Sequence, residues 1–217
     1  MQTPWLSRLR SGVQYFHATD CFGRREQFRG IDIQKRTELL DKLTDLILER
    51  TIRLVAGAID VPAYAAFSPK ALENDFLVNR YAAPFGVPVE YSCQAMNRPN
   101  EPFPHDVGDV CNFFIEESKY SASAKSTLDS IRNDPVLWWR NRVGSLTVGS
   151  KTGPQGSPLL QVADLGAFLA AKKVANAPDG KIAWSRYYDK LMAGRRISKL
   201  STWTRAAWTS CTVFIKS

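Results

Sequence analysis

An α/β fold is the class this sequence predicts, and two observations predict it. Short apolar runs over 51–59, 110–116 and 143–149 alternate with longer segments whose apolar residues recur at helical spacing. The last of those segments, over 157–176, is apolar enough to be buried yet carries Asp164 near its start. A carboxylate in such a place is costly unless it is paired, protonated or bound to metal.

Taken in order, residues 4–11 can start a short helix with Trp5 and Leu9 on one face, and 12–17 read as a brief extended segment. Asp32 opens a helix that runs to about Arg50, with Leu39, Leu43, Leu46 and Ile47 on one side. The stretch 51–59 follows as a strand. A second helix is expected over 69–81, because Ser68 is a good N-cap and Pro69 suits the first helical position. Three prolines make 97–104 a loop. A core strand at 110–116 ends in Glu116 and Glu117, and a polar helix over 121–132 turns Leu128 and Ile131 inward. A strand at 143–149 and the loop 150–156 lead into the helix bearing Asp164. The turn at 177–180 then opens a basic tail.

The chain of 217 residues fits one domain, or one domain with an extension. No apolar run reaches the ~18 residues that a membrane span needs. The N-terminus shows no signal segment, so a cytoplasmic protein without membrane contact is expected. Cys21, Cys93, Cys111 and Cys211 form no C-x-x-C pair, which speaks against a zinc site or a secreted disulfide framework. No P-loop, dinucleotide fingerprint or nucleophile elbow is present, which argues against NTPase, dinucleotide-enzyme and α/β-hydrolase classes.

Charge is unevenly spread. Residues 181–217 hold eight Lys or Arg against one acid, so they carry nearly all of the chain's net +8. Such a block attracts a polyanion through phosphate contacts and counterion release. Trp184, Tyr187, Tyr188, Trp203 and Trp208 interleave with the charges and are candidates to stack on bases. The plainer alternative is a solvated surface that keeps the protein soluble.

Two carboxylates from different elements, Glu116 and Asp164, are the candidates to hold a hard divalent cation, which takes oxygen ligands and retains several waters. Two such ions about 4 Å apart activate a water and stabilise the leaving oxygen of a phosphodiester. Each acid also has an ordinary reading: Glu116 as a solvent-facing residue at a strand end, Asp164 as a helix-start carboxylate held by backbone amides. His17 and Asp20 place an imidazole beside a third carboxylate, although a lone His among aromatics is more often structural. Lys151, in a Gly/Pro loop before the acid-bearing helix, is placed to reach a phosphate.

Tyr15-Phe16-His17, a long helix around Arg36, a central strand ending in Glu116, and Ser150-Lys151 ahead of Leu160-Gln161-Val162-Ala163-Asp164-Leu165 together resemble the bacterial and phage family called "domain of unknown function 3800". The Leu-Gln-x-Ala-Asp-Leu core is the most specific of these features. The resemblance implies a ribonuclease H-like mixed sheet flanked by helices over 1–176, followed by a basic aromatic extension over 177–217. It also implies a Mg²⁺- or Mn²⁺-dependent nuclease-type site. Glu116 would be the strand carboxylate (Glu117 if the register shifts by one), Asp164 the last-helix carboxylate, and Asp20 a third acid within reach. His17 and Lys151 match family positions. Beyond the resemblance, the charge of the tail makes Arg195, Arg196 and Lys199 the residues expected to guide nucleic acid.

One departure stands out. The family opens on a strand with an Asp-Glu-Ser-Gly-like motif, and nothing before His17 supplies it. The first strands are therefore expected to be missing, leaving a sheet edge open to homo-oligomerisation. Two functions follow from this: a metal-dependent phosphodiester hydrolase, or a non-catalytic nucleic-acid or protein binding module on the same scaffold.

Overall fold

The computed structural model describes residues 13–60, 82–96, 109–150, 157–194, 197–203 and 207–215. Within them the chain is mixed α/β. The helices expected over 4–11 and 69–81 and the loop at 97–104 lie outside the described residues.

A short helix, α1 (Ala18–Gly23), and a 3-10 turn at Glu26–Phe28 precede the long helix α2 (Ile33–Arg50). Asp32 starts α2 as its sequence position suggests: its Oδ1 accepts the backbone N–H of Lys35 at 2.8 Å. That hydrogen bond is the main reason its carboxyl sits below the usual range. Arg36, Leu39, Leu40, Leu43, Thr44 and Ile47 then recur on one buried face at helical spacing.

The strand β1 (Thr51–Asp60) follows directly. It runs at the centre of a three-stranded sheet, parallel to β4 (Ile197–Trp203) and antiparallel to β5 (Ala207–Ile215). The near-continuous apolar sequence of β1 suits a strand paired on both edges. The chain end expected as an extension thus supplies two strands to the sheet.

The helix α3 (Ala82–Ala95) falls where no element was expected, because Pro84, Gly86 and Pro88 blur its periodicity. The Ser92 hydroxyl donates to the carbonyl of Pro88 inside it. A β-α-β unit comes next: β2 (Cys111–Glu116), α4 (Ser121–Asn133) and β3 (Val143–Gly149). The two strands are parallel, in register Phe113↔Leu146 and Phe114↔Thr147, so a crossover is needed, and α4 provides it. Its Leu128 and Ile131 point inward as expected and pack with Val89, Cys93, Cys111, Phe113, Trp139 and Val143.

The remaining helices, α5 (Pro158–Val174) and α6 (Trp184–Ala193), join α1 and α2 in a second core. Phe16, Phe28, Leu40, Leu43, Ile47, Leu165, Leu169, Tyr187 and Leu191 are its largest fully buried members. At the rim, α6 lies along α2 with matched spacing: Arg186 pairs with Asp41, and Lys190 with Asp45 at 2.6 Å. Among the described residues no helix is long and apolar enough to cross a membrane.

Two outcomes test this packing. A Cβ on Gly144 would lie 2.6 Å from Asn112 Oδ1 and 2.7 Å from the Cys111 carbonyl oxygen, and the carbonyl cannot swing away without breaking the strand pairing. Gly144→Ala is therefore expected to cost about 1–3 kcal/mol in urea denaturation. Asp179 accepts from both the hydroxyl and the backbone N–H of Ser185, and the hydroxyl bond chiefly lowers its carboxyl's affinity for a proton. Its contribution is full above the unfolded-state pKa of about 3.9 and is lost as pH falls through the lower folded value. Asp179→Ala should therefore be less stable than the native chain near neutrality, and the gap should close under acid in urea midpoints taken from pH 6 to pH 3.

Candidate functional site

The candidate site forms where α5 lies against the segment entering α1. Gln161 and Asp164 stand three residues apart on α5 and so share a face. Gln161 is buried, and its Oε1 accepts the backbone N–H of Phe16 at 2.8 Å. Asp164 Oδ2 accepts the N–H of Ala18, the first residue of α1, at 2.6 Å. A carboxylate at the amino end of a helix satisfies an N–H that has no partner within the helix and complements the helix dipole. The ordinary reading of Asp164 therefore holds in altered form: backbone amide holds it, but the amide belongs to another helix.

His17 is the residue before α1, in extended conformation. Its Nδ1 lies 2.7 Å from Asp20 Oδ2, and its Nε2 lies 3.7 Å from Asp164 Oδ1. Both ring nitrogens thus face carboxylate oxygen. The three side chains are partly shielded, at 30% relative exposure for His17, 13% for Asp20 and 20% for Asp164. An imidazole bounded this way is fixed in orientation, and a positive charge on it has two counter-ions.

Behind this trio sits Arg36, which is buried on α2. Its Nη1 donates to the carbonyls of Cys21 at 2.6 Å and Phe22 at 3.4 Å, in the last turn of α1. Nε of Arg36 has no hydrogen-bond partner among the described residues. Cys21, also buried, is a poor nucleophile: desolvation pushes its thiol up to about 12, although the positive charge of Arg36 pulls the other way.

The expected residues divide into three groups. His17, Asp20 and Asp164 come together, from positions about 145 residues apart. Glu116 belongs to a different element. It stands exposed at the end of β2 with Glu117 beside it, whereas Asp164 is turned toward the amide of Ala18. Lys151, Arg195 and Arg196 lie outside the described residues, as does the side chain of Lys199 on β4.

Among the described residues no three His, Cys, Asp or Glu side chains are grouped to hold a metal ion. Magnesium and manganese favour several oxygen ligands, but here an imidazole stands between the two carboxylates, and one oxygen of each already accepts a hydrogen bond. The described trio is thus an imidazole between two carboxylates rather than a set of oxygen ligands, and the chemistry below rests on the imidazole.

The tail corrects another expectation. Trp184, Tyr187 and Tyr188 are buried in the core, so they offer no faces for base stacking. Arg186 and Lys190 are paired with acids of α2. Sequence reasoning gave Arg36 and Gln161 no role of their own. The signal for Arg36 was its place on the apolar face of α2, and for Gln161 its spacing of three from Asp164.

Compared with known proteins, the chain matches no family model, no curated protein and no solved structure.

The hold of Asp164 on α1 is measurable. Asp164→Ala leaves the Ala18 N–H without its acceptor and is expected to cost about 1.5–3 kcal/mol of unfolding free energy. Asp164→Asn keeps an acceptor oxygen but loses the charge, so it should cost about 1 kcal/mol. Equal stability of all three proteins in urea would show that this hydrogen bond contributes nothing.

Proposed function

We propose that this chain is a hydrolase-type protein of ribonuclease H-like ancestry that acts on nucleic-acid phosphodiesters, with His17 as its proton-transfer group. One observation carries the reading: a partly exposed imidazole faces a carboxylate at each ring nitrogen. With Asp20 accepting from Nδ1–H, Nε2 is left to take a proton from a water, because 3.7 Å to Asp164 Oδ1 is too long for a hydrogen bond that would occupy it. Once protonated, the ring is stabilised by both acids. The net charge of +8, concentrated after residue 181, supports a polyanionic substrate.

A second reading has its own support. Asp164 and Gln161 are both engaged in holding the 16–18 backbone, as a structural clasp would be. On that reading the same scaffold binds nucleic acid without cutting it, and Arg195, Arg196 and Lys199 supply the phosphate contacts. Self-association belongs to either reading, since β2 and β3 pair only with each other among the described strands.

The deciding experiment incubates the full chain with labelled single-stranded DNA, duplex DNA and RNA, in Mg²⁺, in Mn²⁺ and in chelator. Cleavage is expected, with a drop of about 10²–10⁴-fold in His17→Ala. Cleavage unchanged in His17→Ala would remove His17 from the chemistry. If no arm shows cleavage, the hydrolase reading fails and the binding reading is tested by affinity against salt. Neutralising Arg195, Arg196 and Lys199 should then flatten the slope of log affinity on log salt by about 0.9 for each duplex-DNA phosphate that the protein no longer neutralises.

A further inference from the structure

Away from His17, three sulfur atoms meet in the core between α3 and β2. Cys93 and Met96 lie three residues apart at the end of α3, where the N–H of Met96 still donates to the carbonyl of Ser92. Cys111, the first residue of β2, brings its Sγ to 2.9 Å from Met96 Sδ. Cys93 and Cys111 are themselves hydrogen-bonded side chain to side chain. Both cysteines are thiols and both are buried, while Met96 is only partly so.

We propose that Cys93, Cys111 and Met96 form a binding site for a soft monovalent cation, copper(I), with the two cysteines as thiolate ligands and Met96 as a neutral thioether ligand. Two thiolates and a thioether are the soft donors that select copper(I), whereas magnesium and manganese prefer oxygen. Ligand number points the same way. A structural zinc site closes with four ligands, and only three donors converge here among the described residues. Binding is a simple exchange: one copper(I) ion replaces two thiol protons, both are released to solvent, and no electron is transferred.

Charge also fits. Two thiolates with one monovalent cation leave a single negative charge, which a buried site tolerates poorly on its own. Arg142 places a positive charge close by: it lies one residue before Val143, the β-partner of Cys111. Met96 is the most accessible of the three and lies just past the last residue of α3. It can move outward by the small distance that separates a 2.9 Å sulfur contact from two ligands spanning one ion. This site is independent of the hydrolase reading.

The test uses the reduced full chain under anaerobic conditions, titrated with copper(I) against a chromophoric chelator. One equivalent should be withdrawn from the chelator, with thiolate-to-copper absorption in the ultraviolet. Cys93→Ser and Cys111→Ser should abolish it, and Met96→Leu, which removes the neutral ligand but leaves both thiolates, should weaken it by at least about tenfold, since loss of an outer-shell partner alone costs that much. Circular dichroism reports whether each variant is folded. A measurement on the native chain avoids variants altogether: copper(I) should protect Cys93 and Cys111 from alkylation, read by peptide mass. No copper withdrawn, protection falling on Cys21 or Cys211 instead, or a disulfide forming in place of metal uptake would each overturn the proposal.

Discussion

The ion-complemented helix α1 is the constraint on which the candidate site depends. This helix has only six residues, too few to be stable alone. Its amino end is held by the carboxylate of Asp164 and its carboxyl end by the guanidinium of Arg36, so opposite charges complement both ends of its dipole. Those groups come from α5 and α2, while Phe22 of α1 packs on Phe168 of α5 and Tyr187 of α6. Removing α1 would uncover apolar surface on α5 and α6 and would also dissolve the trio, because His17 and Asp20 sit at its entrance and in its first turn.

The same arrangement explains why the site combines order with access. Gln161 fixes Phe16, and Phe16 is wholly buried, so the chain enters α1 at a set angle. His17 is then held at the rim of the core rather than inside it. Arg36 is better placed as a support than as a substrate-binding cation. Buried behind α1, it spends its hydrogen bonds on carbonyls, and its charge acts on the Cys21 thiol through a medium that screens weakly.

Much of the local structure was legible in the residues. Asp32 announced α2 through capping chemistry, the apolar run over 110–116 marked β2, and the inward Leu128 and Ile131 of α4 followed from periodicity. The apolar surroundings of Asp164 marked it as a residue in need of a partner. The failures have physical causes too. Two prolines and a glycine hid α3, and the basic residues of 181–217 drew attention away from the helical spacing of Trp184, Tyr187, Tyr188 and Leu191. Aromatic side chains interleaved with charge fit a stacking platform or an amphipathic helix equally well, and only packing against α2 and α5 distinguishes the two.

What the sequence determined by itself is therefore local: which segments are helices or strands, where they start, and which acid lies among apolar neighbours. Those properties depend on residues within a turn or two of each other. The partner of each polar group was decided only in three dimensions. Asp164 could have turned toward Glu116 and a cation, or toward a backbone amide; the N–H of Ala18, 146 positions away, is where it went. The same holds for Arg186 with Asp41 and for the three sulfurs of Cys93, Met96 and Cys111. The reason is that a buried polar atom takes whichever donor or acceptor the packed helices bring within reach, and spacing along the chain does not encode that distance.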